Sequence, residues 1–172
     1  GAKGVTFPAL FAEYAKGYRD HYKLGDELFA KMLASSAALC YRNGLENPLA
    51  HFGKGGPSDK LGLTNAEAIL DLPPEKNPMI AEPLRLHDCS LVTDGAAGLL
   101  IVRKNHPMAK KGRAVRIAGI GHAAERMAMS SRINLYELLA AKEAARQAYA
   151  EAGLRPTDID IAEVHDCFTI NQ

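Results

Sequence analysis

The sequence predicts an α/β chain, helical at the front and strand–helix–strand at the back. Three observations carry that reading. Apolar residues recur at helical steps through the first third. A continuous apolar run, Ala97-Gly98-Leu99-Leu100-Ile101-Val102, has the character of a strand buried on both faces. From residue 113 onward a strand pattern, a capped helix and another strand pattern follow one another, and such a unit in a parallel sheet is right-handed.

Taken in order, Thr6 can cap a first helix, with Pro8 in its first turn, where a missing N–H costs nothing. Leu10, Phe11, Tyr14, Tyr18 and Tyr22 form its apolar stripe, and Gly25 is the expected stop. Asp26 can cap a second helix bearing Phe29, Met32, Leu33 and Cys40, with Asn43-Gly44 as its end. Residues 45–83 are rich in Gly and Pro and read as loop, broken by one short helix that Thr64-Asn65-Ala66-Glu67 would open as a capping box. A loop region of that length is more often functional than merely connecting. Ala114 to Ile120 alternates as a second strand. Asn134 with Glu137 would cap a long helix that Gly153 stops, with Pro156 just beyond. On that helix Leu138, Ala141, Ala145, Ala148 and Ala152 form a narrow face of small residues. Ile159 to Val164 is the third strand, and it runs straight into His165, Asp166 and Cys167. Side chains that do chemistry often sit where a strand of an α/β sheet hands over to the next element. Three strands make an incomplete sheet, so a fragment of a larger α/β protein is expected.

Bulk properties remove several function classes. A net charge of +1, with the basic residues scattered, argues against a nucleic-acid footprint. The densest basic run, Lys110-Lys111-Gly112-Arg113, reads as a solvated loop. The longest apolar run, Gly95 to Val102, is far shorter than the ~20 residues that span a bilayer, and no signal peptide is visible at the start. The three cysteines, Cys40, Cys89 and Cys167, are odd in number and irregularly spaced, which points to a reducing compartment and hence a cytoplasmic location.

Each reactive-looking motif has a bland counterpart. Gly119-Ile120-Gly121-His122-Ala123-Ala124 fits the G-x-G-x-x-A dinucleotide fingerprint, but that fingerprint needs a helix to begin at once, and here the convincing cap comes ten residues later. Glycines that let a strand end turn are the simpler reading. His87-Asp88-Cys89 and His165-Asp166-Cys167 repeat one tripeptide, and four zinc ligands could meet if both were extended, although the spacing is not that of a regular zinc site. Cys167 could act as a nucleophile with His165 as its base, since both point to one side of a strand, but free cysteine is commonly a small buried hydrophobe. Cys40, on the apolar face of its helix, is expected in the core. Asp94 reads as a turn residue before a buried strand, with Ser90 and Thr93 nearby as donors to a ligand.

The stretch Pro83-Leu84-Arg85-Leu86-His87-Asp88-Cys89-Ser90-Leu91-Val92-Thr93-Asp94-Gly95-Ala96-Ala97 resembles the segment that closes the loop domain of thiolases. Glu163-Val164-His165-Asp166-Cys167-Phe168 resembles the HDCF fingerprint of the sterol-carrier-protein type of thiolase, where most other thiolases carry Asn-Glu-Ala-Phe. Gly4-Val5-Thr6-Phe7-Pro8, Asn77-Pro78-Met79-Ile80 and the helix end from Ala144 to Gly153 also fit, so the resemblance covers essentially the whole chain in unbroken order.

The resemblance implies a thiolase fold: two similar βαβαβαββ halves with a helical loop domain inserted in the first. Residues 1–93 would then be the loop-domain region, 94–112 the last strand of the N-terminal half and a linker, and 113–172 the truncated start of the C-terminal half. It implies acyl transfer, by Claisen condensation or thiolysis, on acyl-CoA thioesters, with coenzyme A as substrate and no resident cofactor or metal, in a homo-oligomeric parent enzyme that binds neither nucleic acid nor membrane. By matching positions, His165 would donate to a thioester oxygen in an oxyanion hole, where a pre-aimed donor stabilises enolate-like charge. Cys167 and Phe168 would line the acyl and pantetheine path, and Ser90 would contact CoA. The family's Cys-x-Ser nucleophile falls before residue 1, and its Gly-His-Pro histidine and Cys-x-Gly cysteine fall after residue 172, so the isolated chain is expected to be inactive. The rivals are a thiolase-like aldolase acting on CoA-linked side chains, which would need a different acid/base residue, and a non-catalytic acyl-CoA-binding subunit.

Overall fold

Thr6 does open the first helix. The structure is a computed structural model describing residues 5–110, 112 and 114–172. Gly4 of the opening motif, and Lys111 and Arg113 of the basic run, lie outside the described residues. Helix α1 spans Phe7–Tyr22, and the Thr6 hydroxyl accepts from the Ala9 N–H at 3.4 Å. Its cap comes two residues before the expected glycine: Lys23 takes a left-handed conformation with φ 53°, and the Leu24 N–H returns to the Arg19 carbonyl. Gly25 instead occupies the cap position of α2 (Asp26–Leu45), where Asp26 and Glu27 face the positive end of the helix dipole. Gly44 does not end α2, which runs to Leu45.

The chain divides into two compact units. The first holds the residues up to Ser90, with Met127–Glu137 and Glu163–Gln172; the second holds Leu91–Arg126 and Leu138–Ala162.

In the first unit α2 is used on two sides. Ala34, Ala37, Ala38 and Tyr41, spaced by three and four residues, pack on Leu63 and on Ala66 and Ile69 of α4 (Ala66–Leu70). Phe29 and Leu33, one turn apart, meet Ala12 and Ala15 of α1, Leu84 and Phe168. Asn65, rather than Thr64, caps α4, accepting from the Ala68 N–H at 2.8 Å. The one-turn α3 (Pro57–Lys60) lies in the preceding loop. A short antiparallel hairpin that the composition did not announce joins β1 (Met79–Ala81) to β2 (Leu84–Arg85). Segment 127–137 closes on α1. A Cβ at Gly17 would come within 3.0 Å of Leu135, so glycine permits the approach, and Tyr136 stacks on His21 at 3.5 Å between ring centres.

The second unit corrects the strand expectation. No strand is assigned at 97–102, 114–120 or 159–164. The apolar runs are there, but a strand exists only where a neighbour completes its hydrogen-bond ladder, and among the described residues none does. What this unit does build is helix α5 (Leu139–Ala152), which Gly153 ends in a left-handed turn at φ 68°. Its start is also shifted. Asn134 accepts from Tyr136 and Glu137 N–H groups in a turn ahead of the helix, and Leu138 takes the cap position without a side-chain bond. The predicted small-residue face is displaced as well: Ala141 and Ala145 are exposed, while Ala144 and Ala148 carry the close contact.

That contact explains Gly119 and Gly121. A Cβ at Gly121 would sit 1.7 Å from the Ala144 carbonyl oxygen, and one at Gly119 would sit 2.2 Å from that of Ala148. The intervening backbone N–H groups find partners on the same helix. Ile120 donates to Glu151 at 2.8 Å, and His122 to Gln147 at 3.1 Å. The G-x-G motif thus lies along the middle of a helix, not against the N-terminus a pyrophosphate needs.

Candidate active site

All four residues singled out as site candidates, Ser90, His165, Cys167 and Phe168, belong to the first unit. Two chain segments far apart in sequence meet there. Cys89 and Phe168 form an isolated antiparallel bridge, and the Ser90 N–H donates to the Cys167 carbonyl at 2.9 Å. The repeated tripeptides are therefore brought beside one another by backbone pairing.

Phe168 anchors the pairing. It is 4 % exposed and stacks on Phe11 with ring centres 4.2 Å apart and planes inclined by 17°. Its ring is part of the α1–α2 core. Immediately after it, Thr169 is buried, and its hydroxyl donates to Asp88 Oδ1 at 2.8 Å. Asp88 Oδ2 accepts from the Arg85 N–H at 2.8 Å, so both oxygens of a buried carboxyl are satisfied. Burial pushes the Asp88 pKa up, against the opposing pull of those hydrogen bonds.

Immediately before Phe168 the chain turns outward. Cys167 is half-buried, and Asp166 and His165 are exposed. Among the described residues no group engages the His165 ring. It stands as a free hydrogen-bonding imidazole one residue from an anchored carboxylate. Asp166 accepts from the Cys40 thiol at 2.8 Å and from Gln172 at 3.4 Å. This also corrects the placement of Cys40: its thiol reaches a polar cluster at the C-terminal end of the chain instead of packing in the core.

None of the thiols is primed as a nucleophile. Burial raises Cys40 and Cys89 to about 11, with Asp166 adding to the first and Asp88 to the second. Cys167 is raised too, chiefly by burial, and its sulfur accepts from Asn171 at 3.3 Å. A thiol held protonated at neutral pH is a poor nucleophile, and His165 does not contact it. The two tripeptide histidines also have different surroundings. His87 is bound through Nδ1 to the Tyr41 hydroxyl at 2.5 Å, and its backbone N–H donates to Asn77 Oδ1 at 3.2 Å. Burial lowers the His87 pKa and raises that of Tyr41 to about 12, keeping both neutral. Tyr41, Asp88 and Thr169 are the members of this region that sequence reasoning did not pick out. The tripeptide repeat was the one signal that pointed at Asp88.

Residues 121–172 match the thiolase C-terminal domain-like family. Over 170 residues, 98% of the chain, it is 36% identical to an acetyl-CoA acetyltransferase of Methanocaldococcus jannaschii, of which it covers 39%. An acetyl-CoA acetyltransferase of Methanothermobacter thermautotrophicus is 32% identical over 169 residues, 98% of this chain and 40% of the relative. Sterol carrier protein 2 of Bos taurus is 26% identical over 170 residues, 96% of this chain and 28% of the relative. The chain thus spans about two fifths of the length of the two acetyltransferases. These similarities run through the paired tripeptide segments described above, and they are consistent with a fragment of a thiolase-superfamily protein.

Proposed function

We propose that this chain carries part of the catalytic centre of an acyltransferase that makes or cleaves a carbon–carbon bond between CoA-linked acyl groups. The observation that carries the reading is the free imidazole of His165, exposed beside a segment pinned to the core by Phe168 and Thr169. A ring N–H held at that place donates to a thioester carbonyl oxygen. It gains strength as negative charge collects there on the way to the enolate, so it favours the transition state over the bound thioester. Ser90, exposed on the paired segment, supplies a hydroxyl to the CoA moiety, and half-buried Cys167 borders the acyl and pantetheine path, held there by Phe168, whose ring lies in the core. Coenzyme A enters as the substrate's carrier, and the chemistry needs no resident cofactor. The thiols of Cys40, Cys89 and Cys167 are unpaired, as suits a reducing cytoplasm. Among the described residues no helix is long and apolar enough to cross a membrane.

The test compares acetyl-CoA with free CoA by calorimetry on the full chain. Ser90→Ala is expected to weaken both ligands together. His165→Ala is expected to weaken acetyl-CoA alone, by roughly tenfold, the worth of one hydrogen bond of about 1.4 kcal/mol. Equal loss for both ligands in His165→Ala, or no preference for the thioester in the unaltered chain, removes the oxyanion role.

A further inference from the structure

Among the described residues no hydrogen bond, ion pair or ring contact holds the His165 side chain, so its position comes from the backbone that carries it and from the anchored residues that follow it. Among the described residues, besides the Gln172 amide that donates to the Cys40 sulfur at 3.1 Å, three hydrogen bonds hold those residues to the rest of the unit. Cys40 donates to Asp166, Ser90 N–H donates to the Cys167 carbonyl, and the Thr169 hydroxyl donates to Asp88. The first is made at the exposed surface, where water competes for both partners. The second is backbone pairing that any sequence can make. The third is different. Its donor and acceptor are both buried, 8 % and 9 % exposed, and 81 residues separate them in the chain. Its acceptor carboxyl is also fixed from the other side by the Arg85 N–H, at the foot of the β1–β2 hairpin.

We infer that Asp88 and Thr169 form a positioning latch that sets where the His165 imidazole stands. Asp88 is a positioning residue, not a catalytic residue: it acts through Thr169 and the Phe168 bridge. The geometry explains why the partner must be a hydroxyl on residue 169. A buried carboxyl oxygen without a donor is costly, so the pair favours the one register in which Phe168 enters the core and His165 faces outward. A slip by one residue would exchange their faces. The Asp88 of the first tripeptide thereby fixes the register of the second.

The inference rests on the oxyanion reading of His165, so its experiment has one arm that needs no ligand. In that arm the His165 ring cross-peak, assigned from its loss in His165→Ala, is followed by NMR in the unliganded chain. Thr169→Val keeps the shape and removes the hydroxyl; Thr169→Ser restores it; Asp88→Ala removes the acceptor. The expected result is a shifted and broadened His165 peak in Thr169→Val and Asp88→Ala, and an unaltered one in Thr169→Ser. In the ligand arm Thr169→Val loses the preference for acetyl-CoA over CoA while its CoA affinity stays within twofold. A general loss of structure would weaken both ligands alike. An unmoved His165 peak in Thr169→Val overturns the latch. A moved peak in a chain that never preferred the thioester keeps the latch and overturns the oxyanion reading instead.

Discussion

Both units contain apolar residues of the same kinds, yet only one has an interior. Every buried side chain among the described residues, from Ala12 to Thr169, belongs to the first unit. In the second, Leu99, Ile101, Val115 and Ile161 are 86, 67, 93 and 82 % exposed. The difference is not composition but the presence of a second layer. Ala34, Ala37 and Tyr41 face a helix that meets them; Leu99 and Ile161 face no such element among the described residues. Apolar side chains stabilise only when apolar surface leaves water, at roughly 25 cal/mol per Å².

The largest expected effect tests that contrast directly. Leu63 and Leu84 are fully buried, one in each core cluster of the first unit. Leu63→Ala or Leu84→Ala should each cost about 2–5 kcal/mol in urea unfolding, the sum of lost transfer and cavity terms. Leu100→Ala and Ile161→Ala, at exposed positions, should change stability by less than about 0.5 kcal/mol. Equal losses in both units would mean that the second has an interior after all.

The next effect sharpens the comparison from the other side, because the second unit does own one tight contact. Gly121→Ala drives a methyl against the Ala144 carbonyl, and backbone on both sides leaves no flexible end to give way. A cost of roughly 1–3 kcal/mol is expected, typical of overpacking. It should appear as faster amide exchange at Ile120 and His122, whose N–H groups rest on Glu151 and Gln147. Gly98→Ala is the control, since a Cβ there meets nothing within 4 Å. Identical exchange in the two variants would dissociate the glycines from α5.

The same contrast explains what could be read in advance. Helices announce themselves locally: Thr6, Asn65 and Gly153 act within one turn of their own positions, so α1, α4 and the end of α5 were legible. Boundaries moved where a neighbour could substitute, as Lys23 did for Gly25. Strands are not local. Leu99-Leu100-Ile101 has the character of a buried strand, but a ladder is a property of two segments, and its partner is not encoded in the run itself. The site divides in the same manner. His165 and Ser90 stood out by residue type and by resemblance. Thr169 did not, because its importance lies in meeting Asp88 across 81 residues, a pairing no single-sequence pattern displays.

The smallest expected effect is electrostatic, and its sign separates the two units. Asp88 in the first unit has its folded pKa raised by burial above the ordinary 3.8. Its protonated form is therefore favoured by folding. The stability it contributes is fully present below the unfolded pKa and is lost as pH rises through the raised folded value. Asp88→Asn should flatten that decline. The amide oxygen can accept from Arg85 while its NH₂ donates to Thr169, so the latch survives with the hydroxyl's role exchanged. Glu143 on α5 is the opposite case. The Arg146 guanidinium, bound at 2.7 Å, and then the Gln147 amide hold it down to about 2. Its contribution is present above the unfolded pKa of 4.5 and is lost as pH falls toward 2. Glu143 lies in open solvent, so salt should weaken the effect. Gln147 in turn supports the His122 N–H, so Glu143→Gln should loosen the glycine segment slightly at neutral pH and remove the acid-side loss. Circular dichroism of the two variants between pH 2 and 6 should therefore diverge from the unaltered chain in opposite directions. A common direction would show that one charge environment governs both units.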